Sequence, residues 1–139
     1  MQRYVVDASV ILKWVLGDER ESDQDKAMAL LDTWAEGRSE LLAPSLWEYE
    51  VGNFLGRLCP GEAPAKMNLI VGLKLSSIPL TENMHRLCFD WMSQNRVTFY
   101  DACYLALAEE TGSILLTADA KFAEKMGHPK SVCLLDDIP

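Results

Sequence analysis

The stretch Tyr4-Val5-Val6-Asp7-Ala8-Ser9-Val10 constrains the fold more than any other. Tyr4, Val5 and Val6 have strong strand preference and run straight into an acid. After Asp7 the apolar spacing changes, and Val10, Ile11, Trp14 and Val15 recur at helical intervals. A strand therefore hands over to a helix at Asp7. The carboxylate falls at the carboxyl end of an opening strand, the edge where open α/β sheets bind ligands. Asp7 is read as the first ligand of a metal site. Taken alone, it is explained equally well as a helix N-cap.

The rest of the chain repeats the alternation of short apolar runs with helical patterns. The first helix is expected to reach about Leu16 and close at Gly17, and Asp18 to Asp25 forms an acidic connector. Ser22-Asp23-Gln24-Asp25 has capping-box spacing, and the following helix gathers Ala27, Leu30, Leu31 and Trp34 on one face. Leu41-Leu42-Ala43 predicts an interior strand stopped by Pro44. Ser45-Leu46-Trp47-Glu48 is a second capping box, opening a helix with Val51, Phe54, Leu55 and Leu58 as its apolar stripe. Glu50 lies two residues past Glu48 and points elsewhere, with Asn53 one turn further on its own face.

A helix is expected over 62–75, then an edge strand at Ser77-Ile78-Pro79-Leu80, where proline excludes a central place. Thr81 caps the next helix. Thr98-Phe99-Tyr100-Asp101 again has capping-box spacing, with Asp101 in a first helical turn where the dipole favours negative charge. The segment from Ala102 to Ala108 is too apolar for a surface and predicts a central helix. Ser113-Ile114-Leu115-Leu116 reads as a buried strand. Thr117-Ala118-Asp119 follows it and repeats the strand, acid, helix order of Asp7. Val132 to Leu135 is the last strand, and Asp136 and Asp137 a solvated tail. The pattern predicts one α/β domain over 1–139, three layers (α/β/α), with a mostly parallel sheet and helices on both faces.

Each acid has a local explanation as a cap or a solvated face. What those explanations do not predict is the set. Asp7 and Asp119 both follow strands on the same sheet edge, Asp101 opens the helix before the Asp119 strand, and Glu50 follows another strand. Four carboxylates in one crevice would repel one another and raise their pKa values unless a cation offset the charge. All-oxygen ligands suit Mg²⁺ or Mn²⁺. His85 and His128 lie away from the acids and read as structural. Carboxylate-held Mg²⁺ suits phosphate substrates, because it activates water and stabilises phosphoryl oxygens. The residues by themselves thus point to metal-dependent phosphoryl chemistry with the substrate open.

Composition narrows the classes. The 139 residues carry a formal net charge of -8, which excludes binding nucleic acid by a uniformly basic surface. Local cations such as Lys13, Arg57, Arg96 and Lys121 would have to contact a nucleic acid. No run is long and apolar enough to span a bilayer, and the N-terminus lacks a signal-like segment, so a cytoplasmic protein is expected. Cys59, Cys88, Cys103 and Cys133 form no close pair, which disfavours a cysteine zinc site and a disulfide framework. Cys103 and Cys133 read as core residues.

The segments VVDASV, PSLWEYEVGN and YDACYLALAEETGSILLTAD, in this order over nearly the whole chain, resemble the PIN-domain family, and within it the VapC-type toxins of prokaryotic toxin–antitoxin pairs. The resemblance implies a three-layer fold with a parallel sheet, Mg²⁺- or Mn²⁺-dependent endoribonuclease activity, a homodimer, and a small cognate antitoxin. Its acidic quartet falls on Asp7, Glu50, Asp101 and Asp119. Asp7, Asp101 and Asp119 would bind metal, and Glu50 would bind a second ion or orient the attacking water. Ser9, Thr117 and Asn53 match its supporting polar positions. The helices around 27–34 and 48–58 are candidate antitoxin surfaces. Two alternatives stand beside this: another Mg²⁺ phosphohydrolase, and a non-catalytic acidic binding module. The haloacid-dehalogenase type needs Asp-x-Asp after the first strand, and Ser9 occupies the second place. A phosphate-receiver domain would need paired acids there.

Overall fold

Strand β1 (Gln2–Val6) lies at the centre of a five-stranded sheet in the order β3-β2-β1-β4-β5. The computed structural model describes residues 1–17, 23–127 and 129–138. Strands β2 (Ser39–Pro44) and β4 (Ile114–Thr117) flank β1, and β3 (Ser76–Ile78) and β5 (Val132–Leu134) form the edges. Every recorded pairing is parallel, with Val5 opposite both Leu42 and Leu115. The chain thus leaves β1 toward β2 and later crosses to β4 on the other side. The strand order reverses between β1 and β4, and a crevice opens there at the carboxyl ends.

Alternation along the strands builds two cores. Val6, Leu41, Ala43 and Leu116 face one layer, made by α1 (Ala8–Lys13), α2 (Gln24–Ala35), α3 (Trp47–Leu58) and α4 (Ala63–Gly72). Val5, Leu42 and Leu115 face the other, made by α5 (Glu82–Gln94), α6 (Phe99–Thr111) and α7 (Ala120–Lys125). This is the expected α/β/α sandwich, its strands buried on both faces as parallel sheets require. Helix α6 is the predicted central helix, with every residue from Ala102 to Ala108 buried. Thr98 caps its start, and Gly112 ends it in the left-handed region at φ +64°. The Ser113 N–H then returns to the Ala108 carbonyl at 2.8 Å, which turns the chain directly into β4.

Several local expectations fail. Helix α3 is capped by Leu46 with no side-chain cap bond, so Ser45-Glu48 is not a working capping box. Ser22 lies outside the described residues, and α2 starts after Asp23, whose side chain makes no cap bond either. The first helix ends at Lys13 rather than near Leu16, and the fourth is shorter than predicted at both ends. Val51 and Leu55 are buried as expected, but Phe54 and Leu58 of the same stripe are half exposed, and Val71 of α4 likewise. The periodicity identified the helices and overstated the width of their buried faces. Asp136 and Asp137 belong to a 3₁₀ turn over Leu135–Asp137, and Lys26 donates a hydrogen bond to the Asp136 carbonyl. The four cysteines are free, with Cys133 only partly buried. Among the described residues, no helix is long and apolar enough to cross a membrane.

Candidate active site

Asp7 leaves the end of β1, where its N–H donates to the Leu116 carbonyl of β4 at 3.3 Å. The side chain turns back to cap α1, and Oδ1 accepts the Val10 N–H at 3.3 Å. It does more than cap. Ser9 Oγ donates to Oδ1 at 2.5 Å and Thr117 Oγ1 donates to Oδ2 at 2.6 Å. Ser9 Oγ in turn accepts the Ala118 N–H at 3.0 Å, and Thr117 Oγ1 accepts the Asp119 N–H at 3.1 Å. The two hydroxyls therefore fasten the corner after β1 to the corner after β4. Asp7 is 8% exposed. Burial pushes its carboxyl up to about 6, against the opposing pull of these hydrogen bonds. The expected rise is present, and its main cause is desolvation rather than repulsion among the acids.

Asp119 caps α7 from the second corner. Its Oδ1 accepts the N–H groups of Lys121 and Phe122 at 3.0 and 3.2 Å, leaving Oδ2 out of the cap. Asp101 sits in the first turn of α6, where its N–H donates to Thr98 Oγ1 at 3.1 Å. Lys125 of α7 stands 3.7 Å from Asp101 Oδ2. Glu50 projects from α3 and accepts a hydrogen bond from the Tyr104 hydroxyl at Oε1. Its carboxyl is raised, first by burial and further by the charge of Asp101.

One pocket of about 140 Å³ is lined by all four acids together with Ala8, Ser9, Tyr104 and Phe122. A larger cavity of about 430 Å³, at the opposite, amino ends of β1 and β2, includes Gln2, Lys26 and Ser39 and none of the four. The quartet thus meets at the β1/β4 crevice. Among the described residues no three His, Cys, Asp or Glu side chains converge into a ready-made metal cage. The donor chemistry still fits a hard cation, because four carboxylates face one small space with no His or Cys among them.

The supporting residues separate. Ser9 lines the pocket and Thr117 is fully buried beneath Asp7. Asn53 is in the neighbouring opening, which it shares with Glu50 and Asp101. Of the cations, Lys13 is 4% exposed and is no groove residue, whereas Arg57, Arg96 and Lys121 are exposed. His85 is exposed on α5, and His128 is outside the described residues. Sequence reasoning missed Tyr104. It lay inside the apolar run assigned wholly to the core, yet it follows Asp101 by three residues, the spacing that shares a helix face. Lys125 was missed too, and nothing in its local sequence marks it.

Residues 4–127 match the family model of the PIN domain, and the chain belongs to that family. Within the family its similarity runs to VapC proteins. It is 32% identical over 130 residues to ribonuclease VapC3 of Pyrobaculum aerophilum, covering 88% of this chain and 94% of that one. It is 29% identical over 141 residues to ribonuclease VapC1 of Mycobacterium tuberculosis, covering 97% and 99%. A toxin–antitoxin complex from Klebsiella pneumoniae contains the same fold, with a TM-score of 0.70 at 14% identity over 97% of this chain and 99% of that one.

Proposed function

We propose that this chain is a VapC-type endoribonuclease, the toxin of a toxin–antitoxin pair, which hydrolyses RNA phosphodiester bonds with Mg²⁺ or Mn²⁺ in the four-carboxylate pocket. The convergence of Asp7, Glu50, Asp101 and Asp119 on one pocket carries the proposal. Asp7, Asp101 and Asp119 would hold the ion, with Glu50 at its side. Bound there, such an ion would activate a water and offset charge on the phosphoryl oxygens.

The protein does the positioning. Ser9 and Thr117 fix both oxygens of Asp7 before any ligand arrives. Tyr104 holds Glu50 by Oε1, so Oε2 would be the oxygen to orient the attacking water and accept its proton. A carboxylate raised above its ordinary value is the better base for that task. Asn53 and the exposed Arg57 follow Glu50 by three and seven residues, so α3 offers them along one face as contacts for the RNA backbone.

The relatives named as ribonucleases and the toxin–antitoxin complex of the same fold support the substrate and an antitoxin partner. We assign the antitoxin surface to the layer of α2 to α4, where Phe54 and Leu58 remain half exposed. A homodimer working in the cytoplasm completes the proposal. The test is cleavage of single-stranded RNA by purified protein in EDTA, Mg²⁺ and Mn²⁺, with Asp7→Asn alongside. Cleavage restored by either metal and absent from the folded variant is expected. Equal cleavage by the variant, or a wild type that neither cleaves RNA nor binds Mn²⁺, overturns it.

A further inference from the structure

The carboxylate pocket does not end at Glu50 and Asp101. Both acids also line an adjoining opening of about 360 Å³, whose walls are Leu46, Tyr49 and Tyr100. Those same three residues border a second opening of about 330 Å³, which continues over Pro79, Leu80 and Phe99. The result is one groove that runs from the acids onto an apolar floor. Each opening lies near the small end of the roughly 300–1,000 Å³ typical of ligand pockets.

We infer that this groove is a nucleobase subsite, in which Tyr49 and Tyr100 are stacking platforms for a base beside the phosphodiester held at the four acids. The inference rests on the ribonuclease reading and adds to it the part of the substrate that the groove selects.

Three observations favour a base. Tyr49 is 79% exposed and Tyr100 60%, so two aromatic side chains that could bury apolar area are held in solvent at the groove. Both stand in first turns, Tyr49 on α3 and Tyr100 on α6, next to the two acids that the groove shares with the pocket. Helix placement keeps such rings pre-set at low entropic cost. Finally, no Lys or Arg is among the described residues that line either opening, while Glu50 and Asp101 are. A phosphate seated on the apolar floor would find no cationic side chain to pair with. A base is neutral and planar, and unstacked RNA bases are read by stacking on aromatic side chains. A protein segment seated on the groove would instead close the carboxylate pocket and strip water from Glu50 and Asp101, at a desolvation cost.

The test uses wild type, Tyr49→Leu, Tyr100→Leu and Tyr100→Trp on a mixed-sequence single-stranded RNA pool with Mn²⁺. The readouts are kcat/KM, the bases flanking each cut and the molecular mass in solution. Leucine keeps apolar area and removes the π-face, so both Leu variants should lose about five- to a hundredfold in kcat/KM, as stacking energies imply. Their base preference beside the cut should flatten, whereas Tyr100→Trp should keep it, with unchanged mass throughout. Leu variants that match wild type in rate and base preference overturn the inference and leave the ribonuclease reading intact. A changed mass with unchanged base preference overturns it in favour of a protein interface. No cleavage by wild type overturns both.

Discussion

The corners at Asp7 and Asp119 have the same local design and opposite surroundings. In each, a parallel strand ends, an acid follows, and its carboxylate caps a six-residue helix. Asp119 stays exposed and spends one oxygen on the cap. Asp7 is buried, and both of its oxygens are engaged, two of the bonds coming from hydroxyls. Asp7 directly follows β1, the central strand, whereas Asp119 stands two residues beyond the end of β4, farther from the sheet. A buried carboxylate is costly without partners. Thr117, from the neighbouring corner, lowers that cost. The comparison shows that one motif gives a fastened, hard-to-ionise carboxylate in one place and a solvent-exposed one in the other.

The sharpest way to break this contrast is Asp7→Asn. It should cut metal-dependent cleavage by about a hundredfold or more, because a charge-stabilising group is removed from the reacting site. In the metal-free protein the same change should stabilise. Asp7 has a folded pKa of about 6 against an ordinary 3.8, so its contribution is fully favourable below pH 3.8 and is lost as pH rises through 6. The penalty reaches up to about 3 kcal/mol above that range, at about 1.4 kcal/mol per unit. Thermal melts without metal should therefore show wild type losing stability between pH 4 and 7.5, and Asp7→Asn remaining flatter. Parallel pH profiles for the two proteins would remove burial as the distinguishing feature of this corner.

Thr117→Val tests the link between the corners. It keeps the shape and strips Asp7 Oδ2 of its hydroxyl donor. Mn²⁺ affinity, measured by calorimetry, should fall about 10- to 100-fold, the usual effect of losing a partner that orients a ligand. Tyr104→Phe makes the same kind of change at Glu50 and should lower kcat by about tenfold with little change in KM, the mark of an interaction used in the transition state. A pure KM effect would place Tyr104 in substrate binding. The smallest expected effect is on the stability of Asp119→Asn. Asparagine caps a helix as well as aspartate, so its melting should stay within about 0.5 kcal/mol of wild type while its Mn²⁺ binding weakens. A large loss of stability there would make the two corners alike after all.

Much of this was legible in the chain. The alternation of apolar runs and helical stripes located the strands and helices, because burial on two faces leaves a distinct hydrophobic pattern. Thr98, Thr81 and Gly112 marked helix ends through local chemistry that needs no tertiary partner. The same local rule failed at Ser45, where α3 begins one residue later and the side chain makes no cap bond. The acids were identifiable by position after strands and in first turns. Tyr104 was not, because an apolar helix conceals a residue whose hydroxyl finds its partner on α3. Lys13, counted among the candidate RNA contacts, is buried, a placement that its charge alone does not announce.

The sequence by itself determined the elements and the four acids, since strand preference, helical periodicity and capping act over a few neighbouring residues. Only the tertiary structure decided that β1 and β4 lie side by side, that Thr117 reaches Asp7, and that Tyr104 reaches Glu50. Those contacts join residues 110 and 54 positions apart. Their existence depends on which strands pair and how helices cover them, and no local pattern carries that information.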